Sequence, residues 1–68
     1  TVNAPLPGRI IEVLVKVGDK VNAEDEVVIL EAMKMENSIT TDYAGTVKRI
    51  LVEPGQIVPT DAVLVEIE

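Results

Sequence analysis

The segment of residues 8–31 reads "GRIIEVLVKVGDKVNAEDEVVILE", and the segment of residues 45–68 reads "GTVKRILVEPGQIVPTDAVLVEIE". They align without a gap at an offset of 37 positions (45 minus 8), and the internal glycines Gly18 and Gly55 align with each other. Chance similarity between two Val-rich segments is the competing explanation, but it does not account for glycine spacings that agree. The sequence therefore predicts an internal duplication.

Each half predicts the same order of turns and strands. An opening turn at Gly8 or Gly45 leads into a strand rich in β-branched residues, and a second turn precedes a short strand and a longer one. Further strands around residues 2–4 and 36–41 bring the total to about eight, which is typical of an all-β sandwich or barrel. Because each half buries only one face, we expect the halves to close over a shared core about a pseudo-two-fold axis.

The length of 68 residues predicts one small domain, residues 1–68, because a chain this short buries only roughly 60% of the surface that it exposes when unfolded. Its core must be aliphatic, since Tyr43 is the one aromatic residue, and we expect Val28 and Leu51 to belong to it. The chain begins with Thr1 and not with methionine, so we expect it to be the C-terminal part of a longer subunit.

Composition argues against several classes of function. Cysteine and histidine are absent, so a disulfide framework, an ordinary zinc site and a hydrolase with its own general base are not expected. Twelve acidic and six basic residues give a net charge of -6, which disfavours binding to nucleic acid. No apolar run is longer than that of Val27 to Leu30, which is too short to span a bilayer. We expect a cytoplasmic protein that reaches any membrane-bound complex only through its partners.

Helix-forming residues interrupt the β pattern between the two halves, in the segment "EAMKMEN" of residues 31–37. Val28, Ala32 and Met35 fall at i, i+4 and i+7, as in a short amphipathic helix. The duplication instead favours strand, turn and strand, because it aligns residues 27–31 with the last strand of the chain.

A hairpin turn at Met33 and Lys34 would be unusual, since two-residue turns prefer Asn-Gly or Asp-Gly. A conflict between local propensity and the global pattern often marks a functional site. Two-fold symmetry also predicts where this turn lies, because the symmetry counterpart of the connection between the halves is the pair of chain ends. We therefore expect Lys34 at one end of the barrel and the termini at the other.

The residues around Lys34 resemble the acceptor motif of biotinyl domains, in which two methionines flank the lysine. The segment "EAMKME" carries this motif, and "APLPG" at residues 4–8 and "VKVGDKV" at residues 15–21 resemble the same family. The match covers essentially the whole chain. It implies an all-β fold, namely a flattened β-barrel (barrel-sandwich hybrid) of two four-stranded antiparallel sheets, with the lysine on an exposed hairpin.

The resemblance also implies a function. Lys34 would receive covalent biotin from a biotin protein ligase, with Glu31, Ala32, Met33 and Met35 as the rest of the acceptor motif. The carrier would move carboxybiotin between a carboxylation or decarboxylation site and a carboxyltransferase site. Its partners would be biotin carboxylase, carboxyltransferase or decarboxylase domains or subunits of a carboxylase, a transcarboxylase or a decarboxylase. The carrier itself would be no enzyme, with no catalytic residue and no metal site.

Two other functions stay open. A lipoyl carrier of the same fold would typically show Asp-Lys-Ala where this chain has Met33, Lys34 and Met35. An unmodified structural or adaptor barrel would leave Lys34 a free amine. Exposed methionines would offer a ligase soft, adaptable contacts, whereas a methionine that fills a gap in the core is the structural alternative.

The turn positions Glu24 and Asp61 depart from the family pattern, which often has glycine there. They match each other in the duplication. Aspartate tolerates left-handed backbone better than glutamate does, so the geometry of the turn at Glu24 is the open question.

Overall fold

The computed structural model describes residues 1–68 and contains eight β-strands and no helix. The number of strands agrees with the prediction, and the helical alternative for the middle segment is wrong. No helix is present that has the length and apolar character needed to cross a membrane. The strands are β1 (Val2–Asn3), β2 (Gly8–Val13), β3 (Lys20–Val21), β4 (Glu26–Ala32), β5 (Met35–Thr40), β6 (Gly45–Ile50), β7 (Ile57–Val58) and β8 (Val63–Ile67).

The strands form two four-stranded sheets in which every pairing is antiparallel. One sheet has the order β5-β4-β2-β7, and the other has the order β1-β8-β6-β3. The two orders become the same when each strand is replaced by its counterpart in the duplication. The long strands β4 and β8 are therefore both interior strands. This arrangement confirms the predicted fold, and we call the first sheet the hairpin sheet because it contains the β4–β5 connection.

Backbone hydrogen bonds reproduce the duplication and join the two halves. The Gly18 N–H donates to the carbonyl oxygen of Val47 at 2.8 Å. In the other half, the Gly55 N–H donates to the carbonyl oxygen of Ile10 at 2.7 Å. In each case the turn of one half bonds to the first long strand of the other. Neither half can complete its hydrogen bonding without its partner, which makes the chain one domain of interlocked repeats.

The core lies between the sheets and draws on both halves. Val28 is fully buried, as predicted, whereas the prediction for Leu51 is wrong because its side chain is 40% exposed. Leu51 follows the last residue of β6, on the outward side of the chain, and Val52 takes the inward position instead. The buried cluster consists of Val2, Ala4, Ile10, Val21, Val27, Val28, Leu30, Ile39, Val47, Val52, Val58, Leu64 and Val65.

The turn at residues 33 and 34 and the chain termini lie at opposite ends of the molecule, which measures 30 × 18 × 18 Å. Strands β4 and β5 pair along their length, and the pair farthest from that turn is Glu26 with Thr40. Past this strand the chain reaches Thr46, whose N–H and C=O both bond to Glu68. The hydroxyl of Tyr43 contacts the amino group of Thr1. These contacts confirm the prediction that the turn and the chain termini lie at opposite ends. We call these the hairpin end and the terminal end.

Glu24 and Asp61 both adopt left-handed backbone, with φ of 72° and 68°. Each also donates its N–H across to the other half, Glu24 to Thr41 at 2.6 Å and Asp61 to Ala4 at 2.8 Å. The turn at Glu24 thus keeps the geometry of a glycine turn although it carries a side chain that this geometry disfavours. Interlocking with the other half compensates for the local strain.

Replacing Glu24 by glycine is expected to stabilise the domain by about 0.5 to 1 kcal/mol, because glycine has no Cβ penalty in the left-handed region. The matched change Asp61→Gly is expected to gain less, since aspartate tolerates this conformation. Urea unfolding followed by circular dichroism measures both changes. A loss of stability in Glu24→Gly would show that the glutamate side chain has a structural role that its left-handed φ does not reveal.

Candidate functional site

Met33 and Lys34 form a two-residue turn that connects β4 to β5. Ala32 and Met35 are the last paired residues on either side, and the two turn residues have φ of 55° and 66°. Positive φ at both central positions is the type I′ conformation, whose twist matches that of the strands on either side. The hairpin therefore has ordinary geometry but lacks the Asn or Gly that usually provides it.

Strand pairing and core packing explain why this turn forms against local preference. A left-handed conformation costs a non-glycine residue roughly 1 to 2 kcal/mol. Strand β4 is an interior strand that buries Val28 and Leu30 completely, and its partner β5 buries Ile39. Strands held in this way fix the positions of both ends of the connection. The two intervening residues must then adopt the one turn that closes the gap.

The side chains at the tip of the hairpin point into solvent. Met33 is 91% exposed and Met35 is 67% exposed, so neither fills a gap in the core. Lys34 is also exposed, and its amine forms none of the hydrogen bonds or ion pairs within the domain. The domain has one open depression, and Lys34 does not line it. The amine is therefore presented outward, with no partner in its own domain.

The other two residues of the predicted motif lie at the base of the hairpin. Ala32 is buried, whereas Glu31 is half-buried and accepts a hydrogen bond from the guanidinium of Arg9 at 3.2 Å. Sequence reasoning missed Arg9, which the pairing of β2 with β4 places opposite Glu31. Both side chains remain in contact with solvent, so this ion pair contributes only roughly 0.2 to 1 kcal/mol to stability. Its main effect is that it occupies the Glu31 carboxylate.

Gly8 allows the first long strand to approach the base of the hairpin closely. A Cβ atom at this position would overlap the carbonyl oxygen of Glu31 and would lie 3.2 Å from the Cβ of Ala32. Gly45 has the same relation to the carbonyl oxygen of Glu68 at the terminal end. Both glycines are the first residues of strands. Close packing therefore requires glycine at these positions, and not the opening turns that the sequence suggested.

Gly8→Ala is expected to destabilise the domain by about 1 to 3 kcal/mol, the usual cost of forcing an extra group into a packed site. It should also displace the Glu31 and Ala32 peptide, and so slow any reaction at Lys34 that depends on hairpin geometry. Gly45→Ala is the matched control, because it creates the same overlap at the other end. Equal reaction rates of the two folded variants would show that the hairpin tolerates movement of its base.

The sequence is similar to the sequences of several known proteins. The profile of the family described as "Biotin-requiring enzyme" matches residues 1–67. The biotin carboxyl carrier protein of Streptococcus mutans is 55% identical over 58 residues, which are 85% of this chain and 45% of that protein. The gamma subunit of glutaconyl-CoA decarboxylase from Acidaminococcus fermentans is 64% identical over 39 residues, 57% of this chain and 27% of that subunit.

A solved structure shows the same fold. The urea carboxylase of Kluyveromyces lactis superimposes with a TM-score of 0.93 and 33% sequence identity. The superposition covers 98% of this chain but only 6% of the carboxylase. The chain thus spans less than half the length of each of these similar proteins, and it corresponds to one domain within them.

Proposed function

Because this chain belongs to the family of biotin-requiring enzymes, as a biotin carrier domain that is not itself catalytic, we propose that Lys34 is the residue that carries the covalent biotin. One observation carries this proposal above the others. Lys34 occupies a two-residue turn at the end of the domain opposite the termini, and its amine has no partner in the domain. A tethered domain can present such a group to other proteins without obstruction by its own linker.

The residues of the hairpin suit this attachment. An amide bond to biotin needs a primary amine that an external active site can surround, and the side chain of Lys34 is exposed between two exposed methionines. Met33 and Met35 offer flexible, polarisable contacts and no charge that would compete for the amine. Of the two acidic residues at the base of the hairpin, Glu31 is paired with Arg9, and Glu36 forms no ion pair with Lys34.

Attachment requires a second protein. An ordinary lysine amine is protonated at neutral pH and is then a poor nucleophile. The domain holds no histidine, so a biotin protein ligase must supply the general base and an activated carboxyl group. In the proposed step the Lys34 Nζ loses a proton and forms an amide bond with the acyl carbon of biotinyl adenylate. The bond between that carbon and the phosphate oxygen breaks, and AMP leaves.

Once it is modified, the domain acts by holding the attached biotin in a defined place. When bound, biotin supplies a nitrogen atom that accepts and releases a carboxyl group. Lys34 and the rigid hairpin fix where this group is attached, and the extended lysine side chain with the biotin tail spans on the order of ten ångström or more by ordinary bond lengths. Similar chains lie within carboxylases and a decarboxylase, and the partners are therefore carboxylase or decarboxylase components. We propose biotin carboxylase and carboxyltransferase domains, or their decarboxylase counterparts, as the sites that the arm visits.

Intact mass of the chain made in cells with an active biotin ligase tests this function. The expected product is heavier than the unmodified chain by one biotin less one water, and peptide mapping should assign the addition to Lys34. A lipoyl mass at the same residue would identify the other kind of carrier. An unmodified chain, or biotin on a different lysine, would overturn the proposal.

A further inference from the structure

Four side chains form one row across the outer face of the hairpin sheet. Glu36 pairs with Glu31, Glu31 pairs with Arg9, and Arg9 pairs with Ile57, so that the row crosses β5, β4, β2 and β7. We call it the hairpin row. It begins directly below the turn that holds Lys34, because Glu31 and Glu36 flank the last pair of the hairpin. Its width is about 14 Å, from three spacings between strands.

The hairpin end also concentrates the exposed apolar side chains of the domain. The three most exposed large hydrophobic residues are Met33 at 91%, Ile57 at 77% and Met35 at 67%, and all three lie at this end. A single exposed hydrophobic residue needs no explanation. Three at one end, around an exposed amine and an ion pair, form a surface with the mixed apolar and charged character of a protein interface.

The duplication provides an internal control for this composition. In the other sheet, Lys20 and Thr46 pair at the places that correspond to Ile57 and Arg9. The same backbone therefore accepts lysine and threonine at these positions. The fold therefore does not require an exposed isoleucine or an arginine in the hairpin row, although Arg9 forms the ion pair with Glu31.

We propose that the hairpin row, with Met33 and Met35, is the surface on which the enzyme that biotinylates Lys34 docks, and that Ile57 and Arg9 contact that enzyme. This inference rests on the proposed function of Lys34. A specific interface covers about 800 Å² on each partner, which is nearly a fifth of the 4285 Å² of accessible surface here. The tip of one hairpin cannot provide this area, so the contact must extend onto the adjoining row.

The length of the acceptor side chain favours this enzyme over the carboxyl-transferring partners. The amine of an extended lysine lies only about 6 Å from its Cα atom by ordinary bond lengths. An active site that reacts with the amine must therefore enclose the hairpin and press against the row beside it. Partners that act at the far end of the finished arm work at a greater distance and need less of this surface.

Steady-state kinetics with a biotin protein ligase, biotin and ATP tests the proposal. Ile57→Lys introduces the side chain that the other sheet carries at the same place, so the variant should fold. We expect its KM for the carrier to rise at least about fivefold, the effect of a contact worth about 1 kcal/mol, with kcat unchanged. The matched control is Val17→Lys, which places the same charge at another exposed β-branched residue. Its KM should stay at the wild-type value.

A competition experiment provides a readout that is independent of turnover. The Lys34→Arg chain should inhibit biotinylation of the wild-type chain by occupying the ligase. Adding Ile57→Lys or Arg9→Thr to that inhibitor should weaken it, whereas adding Val17→Lys should not. Equal inhibition by all three double variants, or equal KM values for Ile57→Lys and Val17→Lys, would overturn the docking surface. Failure of the wild-type chain to accept biotin at Lys34 would instead overturn the proposed function.

Discussion

Lys34→Arg is expected to abolish the attachment of biotin and to leave the fold intact. A guanidinium stays protonated in proteins, so it cannot form the amide bond. The residue is exposed, and the substituted side chain is again long and cationic, so the free energy of unfolding should change by less than about 0.5 kcal/mol. Intact mass and avidin binding after incubation with ligase, biotin and ATP measure the first effect. Urea unfolding measures the second.

Lys20→Arg provides the matched control, because Lys20 is an exposed lysine on β3 in the other sheet. It should be biotinylated as fully as the wild-type chain. Avidin binding that persists in Lys34→Arg would show that the arm is attached elsewhere. Loss of labelling in both variants would mean that conversion of lysine to arginine has a general effect on the ligase reaction.

Leu64→Ala is expected to lower the free energy of unfolding by about 2 to 5 kcal/mol. Leu64 is fully buried on β8, an interior strand, and its truncation removes apolar contacts and leaves a cavity. At roughly 0.05 to 0.15 kcal/mol per residue, the whole domain has only about 3 to 10 kcal/mol of stability. The variant should therefore be partly or wholly unfolded at 25 °C. Circular dichroism during urea unfolding measures the change.

Leu51→Ala is the control for this experiment, since it makes the same chemical change at a side chain that is 40% exposed. Its cost should be below about 1 kcal/mol. If Leu64→Ala does not fold at all, Leu64→Val should give a smaller, measurable loss in the same direction. Similar losses at both leucines would contradict the assignment of Leu51 to the surface.

The substitutions Lys34→Arg and Leu64→Ala test two different roles of residues in this small domain. The fully buried aliphatic residues hold the interlocked halves together, and the exposed residues at the hairpin end are the ones that we propose to interact with other proteins. Pseudo-two-fold symmetry connects the two roles. Strand β4 ends in the hairpin at one end of the molecule, and its counterpart β8 ends at the chain terminus at the other, so Lys34 and the chain ends are separated by the length of the domain.

Much of this architecture could be inferred before any coordinates, because the chain repeats itself. The offset between the halves predicted the strands, their equivalence and the position of Lys34 opposite the termini. It also outweighed the helical propensity of residues 30–36. Two matched segments that each bury one face can satisfy their hydrogen bonds only by pairing with each other, so a repeat in sequence becomes a symmetry in space.

Contacts between strands and the exposure of single side chains required the tertiary structure. Leu51 looked like a core residue because hydrophobicity does not reveal which side of the chain faces inward once a strand has ended. Arg9 and Gly8 gained their roles only when the paired strands brought them beside Glu31. The duplication thus specified the fold and the place of Lys34 within it. The packing between strands, which joins residues far apart in the chain, decided what surrounds that lysine.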